Sequence, residues 1–225
     1  MKFLKTLLLA LCLVPALAMA QEDAPAKKAQ DSKWGVGARI GFDYGFLWGL
    51  EDDWDLGEDE DAPAGIGVTV GVQGRYEMSS FFQLVPELNF RYAKLSQEDD
   101  AYERNFTQMD LQIPVLARGI VSNRLFVELG PQIGLSVSNK VSLDGETSPA
   151  GLYDIDYSIK EDIDQSVFNL GVVLGIGANI IDRLSVDFRL FMGFMELYPD
   201  ANSELIDLSG ARLMTMNLGV GYWFL

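Results

Sequence analysis

The chain has 225 residues, of which 48% are apolar, and its 17 basic and 33 acidic residues give a formal net charge of −16. This acidity excludes a nucleic-acid partner, because phosphate binding needs a basic surface. The chain contains no histidine, which removes imidazole catalysis and most zinc sites, so we expect no cofactor and no enzyme activity.

The first twenty residues have the pattern of a secretory signal peptide. Lys2 and Lys5 precede an apolar run over residues 7–14, and Ala18-Met19-Ala20 follows. The alternative, a membrane anchor, is disfavoured because the apolar run is too short to cross a bilayer. We therefore predict removal of residues 1–20 before Gln21. Residues 21–33 are polar and lack a period, which predicts a flexible periplasmic leader.

From Trp34 onward apolar residues alternate with small or polar ones. Trp34 to Trp48 carries apolar side chains at every even position, and a period of two indicates a strand with one apolar face. Seven further segments show the same pattern, over residues 65–78, 82–92, 108–118, 125–137, 168–180, 184–194 and 214–224. The sequence thus predicts eight strands.

The lengths of the strands and of their connections indicate the architecture. The segments reach or exceed the roughly 9–11 residues with which a tilted strand crosses a bilayer. Short connections near 79–80, 122–123 and 181–182 alternate with long ones over 49–63, 96–105, 138–164 and 196–211. This pattern predicts an all-β, eight-stranded antiparallel up-and-down transmembrane barrel over residues 34–225. A soluble lipocalin-like lipid carrier, with its apolar face turned inward, is the rival interpretation.

Aromatic residues on the apolar faces cluster near both ends of the predicted strands. Such girdles are typical of the two bilayer interfaces. We expect one girdle at the short-turn side and one at the long-loop side; the residues are Trp34, Tyr76, Phe82, Tyr222 and Phe224, and Phe46, Trp48, Phe90, Tyr92 and Phe194.

Two stretches resemble a known family. Residues 218–225 (LGVGYWFL) look like the C-terminal signal of bacterial outer-membrane barrels. Residues 111–118 (LQIPVLAR) with 130–134 (GPQIG) are similar to mid-barrel segments of the porin-family outer-membrane β-barrel domain that includes PorT-like proteins. The resemblance implies location in the cell outer membrane, contact with its lipid, insertion by the barrel-assembly machinery through the last strand, and a role in secretion or assembly.

The opposite strand faces carry nearly balanced charge. Eleven charged residues stand there: Arg39, Asp43, Arg75, Glu77, Glu87, Arg91, Asp110, Arg118, Glu128, Asp187 and Arg189. An eight-stranded barrel has an interior that side chains can fill, so we expect these charges to form a salt-bridged plug. The alternative is a narrow ion path lined by glycines and by Asn169, Asn179 and Asn217.

Acidic residues concentrate in the four long connections, which hold 23 of the 33. A solvated, charged outer rim is the favoured interpretation, and contacts with divalent cations such as Ca²⁺ or with a basic partner are the alternative.

In the third connection Tyr153, Ile155, Tyr157 and Ile159 keep a period of two opposite Val141 and Leu143. This pattern predicts a hairpin that extends past the membrane.

Pro86, Pro114 and Pro131 interrupt the strand patterns, and we expect bulges or shortened pairing there.

Taken together, the features of the sequence predict an integral outer-membrane barrel with a structural, surface-interaction or secretion and assembly role. A narrow porin for ions or small solutes is the second candidate.

Overall fold

The computed structural model describes residues 33–49, 63–98, 102–147, 155–162, 168–197, 202–203, 206–207 and 210–224. These residues form eleven β-strands. The strands are β1 (Trp34–Trp48), β2 (Ala64–Glu77), β3 (Phe82–Glu98), β4 (Tyr102–Ile120), β5 (Leu125–Thr147), β6 (Ile155–Asp162), β7 (Phe168–Ile181), β8 (Leu184–Gly193), β9 (Asn202–Ser203), β10 (Ile206–Asp207) and β11 (Arg212–Trp223). Nowhere in these ranges is there a helix with the length and apolar character needed to span a membrane.

The strands close into an antiparallel barrel. The neighbour order is β4-β3-β2-β1-β11-β8-β7-β5-β6, and an additional pairing between β4 and β5 completes the ring. β6 and β7 both pair with β5, at residues 140–147 and 125–135 respectively, so together they occupy one position in the ring. The barrel therefore has eight strand positions, which confirms the predicted fold class.

The period of two separates an outer from an inner face. Along β1, β7 and β11 buried and exposed or half-exposed residues alternate almost without exception. Large apolar side chains such as Ile40, Val70 and Leu174 are about half exposed on the outer wall, whereas arginines and carboxylates are buried inside. This orientation is the reverse of a lipocalin, so the lipid-carrier interpretation is wrong.

Several strands are longer than the sequence pattern predicts. β3 continues to Glu98 and β4 begins at Tyr102, so most of the connection predicted over 96–105 is strand. β5 has 23 residues and pairs with β6 as the predicted hairpin, with Leu143 opposite Ile159; Tyr153 lies outside the described residues. The alternation fades in these extensions because their outer face becomes polar at Lys94 and Thr107, which pair with each other.

The three prolines interrupt pairing without shifting the register. Pro86 is skipped in the ladder between β2 and β3, Pro114 in that between β3 and β4, and Pro131 in that between β4 and β5. Each keeps its pairing on the other side, as expected of a residue that lacks one backbone donor. Of the two expected alternatives, bulges or shortened pairing, the structure shows shortened pairing at all three prolines, and the register shifts lie elsewhere, at Met109/Asp110 and Asn179/Ile181.

Candidate functional site

The lumen of the barrel is filled by side chains in three successive layers. A polar layer occupies the middle, a guanidinium–aromatic layer lies at the end with short turns (the turn end), and an apolar layer lies at the end with long connections (the loop end). The buried members of the polar layer are Arg39, Asp43, Thr69, Glu87, Asn89, Arg91, Gln108, Asp110, Gln112, Glu128, Gln132, Asp187, Arg189, Thr215 and Asn217.

Arg189 on β8 is the centre of the polar layer. Its guanidinium donates two hydrogen bonds to Glu87 on β3, at 2.8 and 2.9 Å, and its Nε donates to Glu128 on β5 at 2.9 Å. The same Nε lies 3.0 Å from an Asp187 oxygen. One arginine thus binds carboxylates from three strands, and all four residues are nearly or fully buried.

A second group joins β8, β11, β1 and β2. Arg39 forms an ion pair with Asp187 and donates to the Asn217 side-chain oxygen. The Asn217 amide donates to Asp43 at 2.8 Å, and the Thr69 hydroxyl donates to the other Asp43 oxygen. Because Asp187 contacts both Arg39 and Arg189, this group and the Arg189 group form one continuous network.

Small residues on the inner face provide the room that these long side chains need. A Cβ added at Gly219 would collide with the Arg39 guanidinium, and one added at Gly41 would collide with the Asn217 amide. Glycines in the strand patterns thus determine where the arginine and asparagine side chains lie.

Arg91 on β3 is fully buried and forms a separate pair with β4. Its Nη1 donates to Asp110 at 3.0 Å and to Gln108 at 3.2 Å. In the described lumen the buried arginines are Arg39, Arg91, Arg118 and Arg189, and the buried carboxylates are Asp43, Glu87, Asp110, Glu128 and Asp187. The buried part of the described lumen therefore has one more carboxylate than guanidinium.

Aromatic rings and guanidinium groups stack at the turn end. Arg118 binds Glu128 through its Nε at 2.8 Å, and its Cζ lies 4.1 Å from the centre of the Phe126 ring. The Trp223 ring contacts two guanidinium groups, with its centre 4.9 Å from Arg75 Cζ and 5.5 Å from Arg118 Cζ. Val85 and Leu116 are buried and paired beside them. Distances of this size correspond to cation–π contacts.

Apolar side chains fill the loop end of the lumen. Leu47 pairs with Leu213, Leu95 with Phe106, and Val173 with Phe191, all at buried positions. The connection after β8 contributes the buried Leu197, whose backbone N–H donates to the Ala211 carbonyl at 2.7 Å. This apolar layer therefore covers the polar layer on the side of the loop end.

The space left between these layers is small. A cavity of about 20 Å³ lies in the polar layer against Asp43, Asn89 and Asn217. A second, of about 10 Å³, lies against Asp110 and Asn169. Since a water molecule needs roughly 10–15 Å³ by this kind of measure, each has room for about one water.

Of the eleven charged residues predicted for the interior, nine lie in the buried lumen. Arg75 and Glu77 differ, because they are half-buried near the turn end and contact each other at 3.5 Å. Asn169 and Asn217 face the lumen, whereas Asn179 is half-buried near the turn that follows β7.

The large apolar residues inside the lumen are absent from the sequence-based prediction. Leu47, Phe106, Phe126, Phe191, Leu213 and Trp223 all stand at positions of the inward-facing parity. Continuing that parity to the ends of each strand is the signal that would have found them.

The predicted interface aromatics lie on the outer wall. At the turn end the rings of Trp34 and Tyr76 are 4.5 Å apart, and those of Tyr222 and Phe224 are 5.7 Å apart. At the loop end Arg212 Cζ lies 5.5 Å from the Trp48 ring centre. The other predicted aromatics are also exposed or half-buried; these are Phe46, Phe82, Phe90, Tyr92 and Phe194. On β3, Tyr92 is the last apolar outward residue before Lys94 and Ser96.

The predicted acidic rim falls largely outside the described residues, including all of residues 51–61. Within the described ranges no group of three or more histidine, cysteine, aspartate or glutamate side chains is placed to hold a metal ion. The signal peptide and the leader also lie outside, apart from Lys33.

A closed antiparallel barrel with an apolar outer wall and a polar, filled lumen defines a transmembrane β-barrel protein of the cell outer membrane. The family model described as "Outer membrane protein beta-barrel domain" matches residues 19–198. The chain belongs to this family, which confirms the outer-membrane resemblance; the PorT-like subtype stays a prediction.

Several solved structures are similar to this chain. Ail, the attachment invasion locus protein of Yersinia pestis, is 16% identical with a TM-score of 0.44, over 86% of this chain and 100% of that one. Neisserial surface protein A is 13% identical with a TM-score of 0.46, over 85% and 97% of the two chains. CarO of Acinetobacter baumannii is 11% identical with a TM-score of 0.44, over 84% and 98%. A comparison with curated protein sequences finds no match.

Proposed function

We propose that this protein is a non-conducting outer-membrane barrel that holds a surface-exposed sheet at the cell exterior. The observation that carries the proposal is the pair between Arg189 and Glu87, which crosses the lumen and belongs to a continuous buried network. A pore would need a connected aqueous path, whereas the lumen cavities have room for about one water each.

Layers on both sides of the network support the same proposal. The guanidinium–aromatic layer at the turn end and the apolar layer at the loop end also fill the lumen, one on each side of the polar layer. An ion would therefore have to pass a layer of aromatic rings and guanidinium groups and a layer of apolar side chains, as well as displace the bound arginines of the polar layer, which disfavours the narrow-porin alternative.

The extended strands support a surface role. Beyond the level of Lys94 and Thr107, β3, β4, β5 and β6 continue as neighbours in one sheet. Residues 138–147 of β5 alone span roughly 30 Å at about 3.3 Å per residue. We propose that this extension (the projecting sheet) stands outside the outer interface and contacts lipid headgroups, divalent cations or a basic partner through its acidic connections. A secretion or assembly role stays a prediction from the PorT-like resemblance. Insertion through the last strand stays a prediction from the resemblance of residues 218–225 to the C-terminal signal of outer-membrane barrels.

Single-channel recording tests the non-conducting proposal. The mature protein is refolded in detergent, its folding is verified by heat-modifiable gel mobility, and it is then added to planar lipid bilayers. We expect no stable openings. A double variant, Arg189→Ala with Trp223→Ala, provides an enlarged lumen in the same assay. Stable openings of the wild-type protein would overturn the proposal.

A further inference from the structure

The lysines of the barrel are confined to one part of its surface. From residue 34 onward the chain has three of them (the lysine band), Lys94, Lys140 and Lys160. They stand on β3, β5 and β6, at the base of the projecting sheet. The backbone pairs Lys94 with Thr107 on β4 and Thr107 with Lys140, so these positions form one row across the sheet. Lys160 pairs with Ser142, one row farther from the barrel.

The lysine band lies between an apolar and an acidic region of the same sheet face. Tyr92 and Met109 pair in the row on the barrel side, and Tyr92 is the last apolar outward residue of β3. Two rows beyond Lys94 the positions are acidic; they are Glu98, Glu103 and Asp144. The acidic position closest to the band is Asp162, which pairs with Lys140. A basic band directly above an aromatic residue of the outer wall stands at the depth of lipid headgroups.

Lys94 and Lys140 are exposed, and neither pairs with a carboxylate among the side chains that the structure describes. Two strand spacings of about 4.8 Å each place their backbones roughly 10 Å apart. Because each ammonium group stands on a flexible four-carbon stem, both can turn to one group over Thr107. A phosphate fits this arrangement, since its oxygens accept hydrogen bonds and its charge is negative.

We infer that the lysine band binds the phosphate groups of lipids in the outer leaflet, with Lys94 and Lys140 as the principal ligands. A lipid is the partner rather than a soluble anion, because the band adjoins the apolar wall that acyl chains cover. The acidic rows beyond the band also repel anions that approach from the solvent. The inference rests on the proposed position of the projecting sheet outside the outer interface, and it names the lipid partner of that sheet.

Binding of bis-phosphorylated lipid A to the refolded mature barrel in detergent, measured by native mass spectrometry, tests the site. Lys94→Gln with Lys140→Gln should bind about 25-fold more weakly, since each lysine near an anionic surface contributes about fivefold. Lys94→Arg with Lys140→Arg keeps the charge and should bind like the wild type. Lys33→Gln with Arg183→Gln removes the same charge at exposed positions of the turn end and should lose much less. Equal affinity of the wild type and the first variant, or an equal loss in the turn-end variant, would overturn the inference.

Two further arms identify the source of the phosphate and separate this inference from the proposed function. Inorganic phosphate at millimolar concentration should not displace lipid A, and displacement would overturn the choice of a lipid. Ser96→Cys, on the outward side of β3, should react with a water-soluble maleimide in lipid nanodiscs. Labelling without a lysine-dependent affinity would overturn this inference alone, whereas an unreactive Ser96→Cys would overturn the position of the projecting sheet as well. Channel openings in bilayers would overturn only the non-conducting proposal.

Discussion

Arg189 and Glu87 form a two-bond ion pair across the full width of the lumen. β8 and β3 are four neighbours apart in either direction around the ring, so the pair lies along a diameter of the barrel. An interaction of this kind fixes the distance between opposite walls, which the backbone ladders between neighbouring strands do not do directly. The ion pair is therefore a constraint on the cross-section as well as a local contact.

Replacing Arg189 by methionine removes this constraint and leaves buried carboxylates short of a partner. Breaking a buried ion pair from one side costs about 3–5 kcal/mol, and we expect a loss of that order in the free energy of unfolding. Urea titration in detergent, followed by tryptophan fluorescence, measures it. Arg183→Met, at an exposed turn position, is the matched control and should change the free energy of unfolding little. Equal losses in the two variants would contradict the central role of Arg189.

The aromatic layer at the turn end gives a second prediction. Trp223→Ala removes the ring that both Arg75 and Arg118 contact, and replacing a buried tryptophan by alanine typically costs about 3–5 kcal/mol. We expect a fall in urea midpoint but no channel openings, because the polar layer still fills the lumen. Phe224→Ala, at the adjacent outward position, should have a much smaller effect. Openings in Trp223→Ala alone would show that the turn end is the principal barrier.

Much of this fold follows from a local pattern. The period of two predicts eight strands and assigns Arg189, Glu87 and Arg39 to the inner face, because each residue's side of a strand depends only on its parity. Which of those residues meet depends on closure of the ring and on the relative stagger of the strands, and neither is encoded in a single segment. The Arg189–Glu87 pair therefore could not be predicted from sequence spacing.

Two features that the sequence pattern does not predict are the longer strands and the apolar residues inside the lumen. Both arise because the pattern reports contact with lipid and not backbone pairing or lumen packing. β3 runs past Tyr92 because β4 supplies backbone partners, while its outward residues Lys94 and Ser96 are polar and the apolar alternation stops. Phe126 and Trp223 were missed because an apolar residue of the inner parity breaks an alternation that is defined by the lipid-facing wall. The alternation of apolar and polar residues therefore fails near the strand ends, where outward residues can be polar and inward residues can be apolar.

A third prediction concerns the glycines that face the lumen. Gly219→Ala would bring a methyl group into the position of the Arg39 guanidinium and disturb its bonds to Asp187 and Asn217. We expect a loss of about 1–3 kcal/mol in unfolding free energy, typical of overpacking. Gly134→Ala is the matched control, because a Cβ there meets its nearest neighbours at an ordinary 3.5 Å. The prediction is wrong if urea midpoints of the two variants fall together.

The lipid-facing wall supplies the last prediction. Val70 is 47% exposed near the middle of β2, whereas Ser96 lies on the outward side of β3 beyond Lys94. An arginine costs about 2–4 kcal/mol at the bilayer midplane and about 0–1 kcal/mol near an interface, so Val70→Arg should be much more destabilising than Ser96→Arg. Reversible urea unfolding in lipid vesicles measures both. Because neither side chain faces the lumen, a difference between the variants reports depth in the membrane. The prediction assumes that the outer interface lies near Tyr92, the last apolar outward residue of β3. Equal stability of the two variants would show that this assumption is wrong.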